Sequence, residues 1–289
     1  TSSDSWPTNT KFDTDPQGSY FRIKMAATLV EAMQVLDDPR LGVWANKVDQ
    51  PLVLDSSDFV DETTGERHVS QASVDAYVNT VGFPVNYDKE YVGLPTAMTF
   101  GAAYNMSENV NQGTLNLHVS QLNDIYKEAS GDLLQARLIS AAEVNFIIAE
   151  AATNGWASGS AEQYYNEAIK QSFSAWGVED GYDDYIAGTA AYGGYEDIIT
   201  QKWIASWSSA SEAWFDYRRT GLPALQTGAA SKRAALPLRF YYHINEIDNN
   251  SNSAEAIERL EPTQFKGDDV SNNSAWSKMW LLQGTTKPY

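Results

Sequence analysis

The chain has 289 residues, of which 43% are hydrophobic, so it can bury a sizeable core as one large domain or two small ones. Acidic residues outnumber lysine and arginine by 38 to 20, and the resulting net charge of −18 argues against nucleic acid as a partner, because phosphates would be repelled. The absence of cysteine excludes disulfides, thiolate nucleophiles and zinc-cysteine sites.

The first half of the chain combines one amphipathic helix with long irregular structure. Apolar residues from Ala26 to Leu36 recur at intervals of three and four, which predicts a helix over 19–36. From about 43 to 130 the periodicity fades into segments rich in Asn, Ser, Gly and Pro, with one short helix near 71–81. Loops of this length inside a compact domain are typical of binding elements.

Helical periodicity returns in the second half. Residues 133–153 are apolar nearly all round, which is typical of a helix buried between layers. A stop at Asn154-Gly155 and a capping box that begins at Ser160 predict a second helix over 161–174.

These helices form one predicted pair near 133–175, and residues 195–220 form another after an insert rich in glycine and tyrosine. The small residues and short connections favour tetratricopeptide-like pairs, although the full repeat consensus is absent. No array of strands is large enough for an α/β or all-β fold. We therefore predict a mainly α-helical superhelix with long irregular loops, as a single domain over 1–289.

Motifs for catalysis and for metal binding are missing. The three histidines have no ligand spacing, and there is no phosphate-binding loop, dinucleotide fingerprint or nucleophile elbow. Asp180, Asp183 and Asp184 lack the alternation of a calcium loop and are interpreted as a solvated loop. We predict no cofactor and no metal.

Two carboxylates could in principle hydrolyse a glycosidic bond. Glu143 and Glu150 lie seven residues apart, on nearly the same face of the predicted helix. Because the surrounding helix is apolar, ion pairs with Arg137 or Arg219 are the favoured interpretation. A glycosidase stays the least favoured alternative.

The run SEAWFDYRRTGLPAL, residues 211–225, concentrates aromatic and cationic groups at a helix end. We expect Arg218 to lie along Trp214, and Arg219 to pair with a buried acid. The tail residues Trp276 and Trp280 are expected to pack on the outside of the helical layers. This interpretation makes the run a structural brace.

Aromatic residues in the loops are the candidate ligand-binding residues. They lie beside glycine, asparagine or aspartate, and sugar rings stack on aromatic rings while polar side chains bind the hydroxyls. The predicted set is Trp44, Tyr87, Tyr91, Tyr104, Trp156, Tyr182, Tyr185, Tyr192 and Tyr195.

Several segments together resemble a known family. They are DDPRL at 37–41, YVGLP at 91–95, an alanine- and glutamate-rich helix at 137–152, and a closing block at 203–223 that continues into LPLR at 236–239. In order and spacing they resemble the SusD/RagB family, in particular its starch-binding-associated outer-membrane lipoproteins. The family's N-terminal half has no counterpart here, so the resemblance is to a C-terminal portion.

The resemblance implies a non-catalytic protein of polysaccharide utilisation in Bacteroidetes-type bacteria. Such proteins are lipid-anchored at the cell surface of the outer membrane and deliver oligosaccharides, or sometimes peptides, to a SusC-like TonB-dependent transporter. No apolar run could span a membrane, so we expect membrane contact only through a lipid anchor outside this sequence. A tetratricopeptide-type protein-interaction scaffold is the alternative.

Overall fold

The computed structural model describes residues 23–98, 101–108, 116–126, 137–228 and 231–287. Contacts along the chain divide it into two compact units, Thr1–Ala224 (unit 1) and Leu225–Tyr289 (unit 2). Within the ranges described, no helix is long and apolar enough to cross a membrane.

Unit 1 is mostly helical. Its α-helices are α1 (Ala27–Val35), α2 (Leu41–Trp44), α3 (Gln71–Val81), α4 (Ala141–Thr153), α5 (Ala161–Trp176), α6 (Tyr182–Ala187), α7 (Tyr195–Ala205) and α8 (Ala210–Thr220). The prediction of a helix near 71–81 is confirmed by α3. A small sheet precedes it, with strands β1 (Leu52–Asp55), β2 (Phe59–Val60) and β3 (Arg67–Ser70) in the order β1-β3-β2.

The first helix is shorter than the predicted 19–36. Its leading residues are extended instead, because Lys24 forms a β-bridge with Gln121 and Ala26 forms one with Leu94. Backbone pairing with distant loops therefore replaces the first helical turns, while residues 19–22 lie outside the described part of the chain.

Serine caps define the start of the next helix pair. The Ser140 side chain accepts a hydrogen bond from the Glu143 amide at 3.0 Å, so α4 begins at Ala141, while the predicted start at 133 lies outside the described residues. The predicted start at Ser160 is confirmed, since its hydroxyl accepts from the Gln163 amide at 3.3 Å. Each cap satisfies an amide that the first turn leaves without a partner.

The helices α4, α5 and α7 enclose one core. Phe146, Tyr165, Ile169, Phe173 and Ile198 are fully buried there. Burial of such side chains contributes about 1.5 to 3 kcal/mol each, so this cluster is a main source of the stability of unit 1.

The opposite face of α4 is exposed, which corrects the prediction that this helix is buried all round. Val144 and Ile147 are 40% and 44% exposed, and the preceding Leu138 and Ile139 are 87% and 62% exposed. Apolar side chains thus continue round the helix, but only one side meets a neighbour among the described residues.

A second core lies around Trp44. Its ring stacks on Trp207 with centroids 5.3 Å apart and meets Trp176 edge-on at the same distance. The side chains of Arg40 and Asp38 lie within the same interior, both fully buried and joined as an ion pair.

The helix pair α7–α8 is braced by charge. Lys202 and Asp216 form a largely buried ion pair at 2.7 Å. Arg219 contacts both Asp216 at 2.9 Å and Glu150 at 2.5 Å, which confirms its predicted pairing with a buried acid. Trp214 stacks on Tyr217 with centroids 5.5 Å apart. The run at 211–225 is therefore a structural brace.

Unit 2 contains two short helices, α9 (Ile244–Asn249) and α10 (Ser253–Glu258), and a two-stranded sheet of β4 (Glu261–Pro262) and β5 (Ser277–Lys278). Trp276 packs inward and donates its indole N–H to the Ala235 carbonyl at 2.7 Å. Trp280 is 83% exposed, and its predicted packing on the helical layers stays a prediction.

Candidate functional site

Three of the predicted binding aromatics belong to the core. Trp44 is fully buried, and Tyr104 and Tyr185 are each only 4% exposed. The Tyr185 hydroxyl donates to Asp38 at 3.0 Å and accepts from Gln201 at 2.7 Å. These three rings fill the interior, and Trp44 and Tyr185 lie in the helices α2 and α6 instead of the predicted loops, so their contact with a ligand stays a prediction that their burial does not favour.

Three more aromatics brace the α4–α5–α7 layer. The Tyr182 hydroxyl donates to a backbone carbonyl of α5 at 3.0 Å. The Tyr192 ring lies 5.3 Å from that of Tyr165, and the Tyr195 hydroxyl donates to Glu150 at 2.9 Å. Each ring is half-buried and has a partner that holds it against a helix.

Tyr87 and Trp156 belong to different segments of the chain. Tyr87 packs on the small core of Leu52, Val69 and Val74 beneath the sheet. Trp156 is 81% exposed in the turn between α4 and α5 and lines none of the clefts described below.

Tyr91, another of the predicted aromatics, lines a cleft. The cavity measures about 390 Å³, and we call it the Tyr91 cleft. Its walls come from α1 and from the loop before and after Tyr91, and consist of Glu31, Gln34, Val35, Asn86, Lys89, Tyr91, Val92 and Gly93.

A close backbone contact holds Tyr91 in place. Gly93 lies against the start of α1, where a Cβ atom would come within 2.3 Å of the Ala27 Cα. Leu94 donates to the Met25 carbonyl at 2.7 Å and accepts from the Ala27 amide at 2.9 Å. Only glycine permits this approach, so the YVGLP segment fixes Tyr91 relative to α1.

The cleft wall opposite α1 is held by amide side chains. Asn86 donates from its backbone to the Asn105 side chain at 2.7 Å and from its side chain to the Tyr104 hydroxyl at 2.8 Å. Asn105, in a left-handed conformation with φ 55°, donates back to the Asn86 carbonyl at 3.2 Å. Burial raises the pKa of Tyr104 to about 12, so its hydroxyl keeps its proton.

The Tyr91 cleft suits a neutral ligand that carries hydroxyl groups. An aromatic ring and Val35 offer apolar surface, while Glu31 and Lys89 provide exposed groups of opposite charge. Burial raises the pKa of Tyr91, which keeps its hydroxyl neutral. Such a mixture can stack on a sugar ring and bind its hydroxyls.

Of the residues that line this cleft, only Tyr91 is predicted from the sequence to bind a ligand. Asn86 and Lys89 stand in the same loop, so proximity to Tyr91 was an available signal. Glu31 and Gln34 lie three residues apart on α1 and become neighbours of Tyr91 only because the backbone folds back, as the 3.1 Å bond from the Gln34 amide to the Tyr91 carbonyl shows.

A second, smaller cavity of about 270 Å³ lies at the start of α4. Arg137 covers the ring of Trp176 at 4.4 Å, and Trp44 packs against the same ring. Glu143 and Lys202 complete a polar lining. Because the Trp176 ring is already occupied by protein contacts, this cavity offers less stacking surface than the Tyr91 cleft.

The carboxylate pair is not arranged for hydrolysis. Glu150 accepts two hydrogen bonds from Arg219, at 2.5 and 2.8 Å, and a third from Tyr195. Its oxygens are therefore engaged in bracing, while Glu143 lines the separate cavity at the start of α4. The described residues also hold no group of three or more His, Cys, Asp or Glu that could bind a metal ion.

Comparison with known proteins identifies the family. A family model described as starch-binding associating with outer membrane matches residues 4–243, most of the chain. The chain belongs to the SusD-like family. The predicted resemblance is thereby confirmed, and the family's description places its members at the outer membrane.

Solved SusD-like structures share the mainly helical fold with paired helices. A SusD homolog from Bacteroides fragilis superposes with a TM-score of 0.56 at 23% identity, covering 90% of this chain and 52% of its own. A chitin-binding protein gives 0.57 at 22% identity, covering 88% and 49%. An outer-membrane protein from Bacteroides vulgatus, for which nutrient binding is suggested, gives 0.54 at 22% identity, covering 89% and 51%.

This SusD-like chain spans about half the length of the solved structures that it matches. No functionally curated protein matches it significantly. The family and the fold are therefore established, and the ligand is a matter of proposal.

Proposed function

We propose that this SusD-like chain is the glycan-binding part of a non-catalytic nutrient-binding protein at the cell surface. The Tyr91 cleft binds a neutral oligosaccharide, and the protein delivers it to a SusC-like TonB-dependent transporter. The observation that carries the proposal is a half-buried aromatic ring, held by a glycine contact, in a cleft of about 390 Å³ with amide and charged side chains. The starch and chitin descriptions attached to relatives support a sugar as the ligand class.

Calorimetric titration with maltoheptaose and chitohexaose tests the binding site. We expect Tyr91→Ala to weaken binding about tenfold or more, as for an aromatic anchor in a binding pocket. Glu31→Ala and Lys89→Ala remove exposed cleft residues without touching the core, so a loss of affinity in these variants is independent of folding.

Trp156→Ala is the matched control, since Trp156 is an exposed predicted aromatic outside the cleft. We expect it to bind like the wild type. If Trp156→Ala lost affinity and the three cleft variants did not, the binding site would be at the α4–α5 turn and the proposal would be wrong.

Delivery to the transporter has its own test. A purified SusC-like transporter reconstituted in nanodiscs is expected to form a complex with the chain, measured by surface plasmon resonance. Proteins of the same size and charge that lack the family fold serve as the control. A chain that binds oligosaccharide but no SusC-like transporter would remove delivery from the proposal and leave glycan capture.

The exposed face of α4 supports a second candidate, a protein-interaction scaffold. Leu138, Ile139, Val144 and Ile147 present apolar side chains that a partner helix could cover. Val144→Asp would then abolish capture of a protein partner from solubilised outer membranes while leaving the Tyr91 cleft intact. A partner other than a porin-like transporter, without any sugar binding, would favour the scaffold, and binding of peptides alone would favour the peptide-binding alternative.

The glycosidase alternative predicts reducing ends released from starch or chitin. Because Glu150 is bound by Arg219 and Tyr195, we expect no release by the wild type. Activity that disappears in Glu143→Gln would overturn this expectation.

A further inference from the structure

Unit 2 has a cleft of its own, about 390 Å³ in volume. Tyr242, Met279 and Trp280 supply its apolar surface. Asn252, Glu255 and Arg259 supply its polar side chains. We call it the Trp280 cleft. It uses no residue of the Tyr91 cleft, and its residues from 252 onward lie beyond the end of the family match at 243.

Trp280 is exposed, yet its backbone is fixed. It opens a single 3₁₀ turn, Trp280–Leu282, in which Leu282 is buried and donates to the Met279 carbonyl at 2.8 Å. The next residue, Gln283, donates from its side chain to the Arg259 carbonyl at 2.8 Å. The turn is thus tied both to the interior and to the opposite wall of the cleft, while 83% of the Trp280 surface stays open.

The other wall carries a preformed polar pair. Glu255 and Arg259, one turn apart along the chain, form an ion pair at 2.5 Å with both side chains mostly exposed. Their carboxylate and guanidinium groups place hydrogen-bond acceptors and donors side by side on this wall of the cleft.

Tyr242 is held from two directions. Asn273 accepts from the Tyr242 amide at 2.7 Å and donates to its carbonyl at 2.9 Å. The Arg239 guanidinium lies 4.6 Å from the centre of its ring. A second aromatic side chain therefore lines the cleft in a defined position beside Trp280.

We propose that the Trp280 cleft is a separate subsite for a neutral, pyranose-containing glycan. The indole face stacks on the sugar ring, and Glu255, Arg259 and Asn252 bind its hydroxyl groups. Charge favours a neutral sugar, since the polar pair is internally balanced and the chain has a net charge of −18. The inference shares only the ligand class with the proposed function of the Tyr91 cleft.

Fluorine NMR on the 5-fluorotryptophan-labelled chain tests the subsite directly. The Trp280 resonance is assigned by its absence in Trp280→Phe. Titration with maltoheptaose and with chitohexaose is expected to shift this resonance saturably, also in a Tyr91→Ala background. In that background Trp280→Ala is expected to weaken the remaining binding about tenfold.

Phe240→Ala is the matched control, because Phe240 is a 94% exposed aromatic of the same unit outside the cleft lining. It is expected to leave the Trp280 response unchanged. If neither sugar shifted the Trp280 resonance while sugar binding that depends on Tyr91 persisted, this inference would be overturned and the Tyr91 proposal would stand. A sugar-dependent Trp280 shift with no effect of Tyr91→Ala would instead overturn the Tyr91 proposal. A Trp280 resonance that shifts on addition of a protein partner, and not with either sugar, would identify a protein contact. That result would also overturn the inference.

Discussion

At the residue scale, the DDPRL segment encloses an ion pair in the interior. Asp38 accepts from the Arg40 amide at 3.0 Å and from its Nε at 2.9 Å, and Arg40 also donates to Ser172 at 2.7 Å and to Gln201 at 3.1 Å. The two charged groups thus bind each other within the segment and also bind side chains of α5, α6 and α7. The segment therefore joins the turn after α1 to α5 and α7.

Asp38→Asn should be strongly destabilising, because it leaves the Arg40 charge buried without its counter-ion. We expect a loss of about 3 kcal/mol in the free energy of unfolding, measured by urea denaturation. Lys47→Gln serves as the control, since the Lys47–Glu90 pair is mostly exposed and solvent screening leaves it little effect on stability. Equal losses in the two variants would contradict this account.

His118 should make stability depend on pH. Its ring is buried, with Nδ1 at 2.7 Å from the Gln50 carbonyl and Nε2 at 3.3 Å from Arg67 Nη1. Burial, together with the nearby Arg67, lowers the pKa of His118 below 6.5, although the Gln50 carbonyl and Glu108 oppose the shift. The unfolded chain thus takes up the proton first as pH falls, so folding stability is lost below about pH 6.5.

The measurement is urea unfolding of the wild type and of His118→Gln at about pH 7 and about pH 5. The variant keeps a donor and an acceptor but does not titrate, so its stability should fall less over this interval. Identical pH dependence of the two proteins would show that His118 does not contribute.

The sequence did not predict which aromatic side chains of the site are buried and which line a cleft. Glycine, asparagine and aspartate neighbours correctly indicated that Tyr91 and Tyr104 stand in irregular segments. They carried no information on which way each ring faces. Tyr91 lines a cleft whereas Tyr104 lies in the interior. The direction in which each ring points depends on pairing between loops that are distant in sequence.

At the element scale, the YVGLP loop acts as a strap across the start of α1. Gly93 lets the two backbones touch, and the resulting bonds also set where α1 begins. Sequence patterns predicted helix boundaries correctly where neighbouring residues set them, as at the Ser160 cap and in the helix at 71–81. They failed for the predicted helix at 19–36, whose first part pairs with distant segments.

Gly93→Ala should therefore be far more damaging than its size suggests. The added methyl would overlap the Ala27 backbone, and we expect a loss of about 3 kcal/mol in the free energy of unfolding together with weaker oligosaccharide binding. Gly82→Ala is the comparison, because Gly82 ends α3 in a left-handed conformation with open space around it. There we expect only about 1 kcal/mol. A Gly93→Ala variant with the stability and oligosaccharide affinity of the wild type would contradict the role of the YVGLP loop in holding the start of α1.

At the scale of the whole molecule, charge limits the choice of ligand. With a net charge of −18, the chain should not bind heparin, and its affinity for a neutral oligosaccharide should stay constant between about 0.05 and 0.5 M NaCl. Calorimetry at several salt concentrations checks both expectations. Measurable binding of heparin, or a steep dependence of oligosaccharide affinity on salt, would contradict this expectation.

The family and the mainly helical fold of the described residues were predictable from the sequence, since motifs in the family's order cover most of its length. The chain divides into two compact units, and the prediction of a single domain over 1–289 stays a prediction. The exposed face of α4 and the Trp280 cleft were beyond sequence reasoning, because apolar side chains look alike whether they meet a neighbour or solvent.

The stacked indoles of Trp44 and Trp207 supply an intrinsic optical reporter. Two such rings, 5.3 Å apart and inclined by 10°, lie close enough for their electronic transitions to couple, and we expect the coupling to give a couplet in circular dichroism. Both rings belong to unit 1, so the couplet follows the folding of that unit without a label. Its disappearance during denaturation, compared with the Trp280 fluorine signal, would reveal whether the two units unfold in one step or in two.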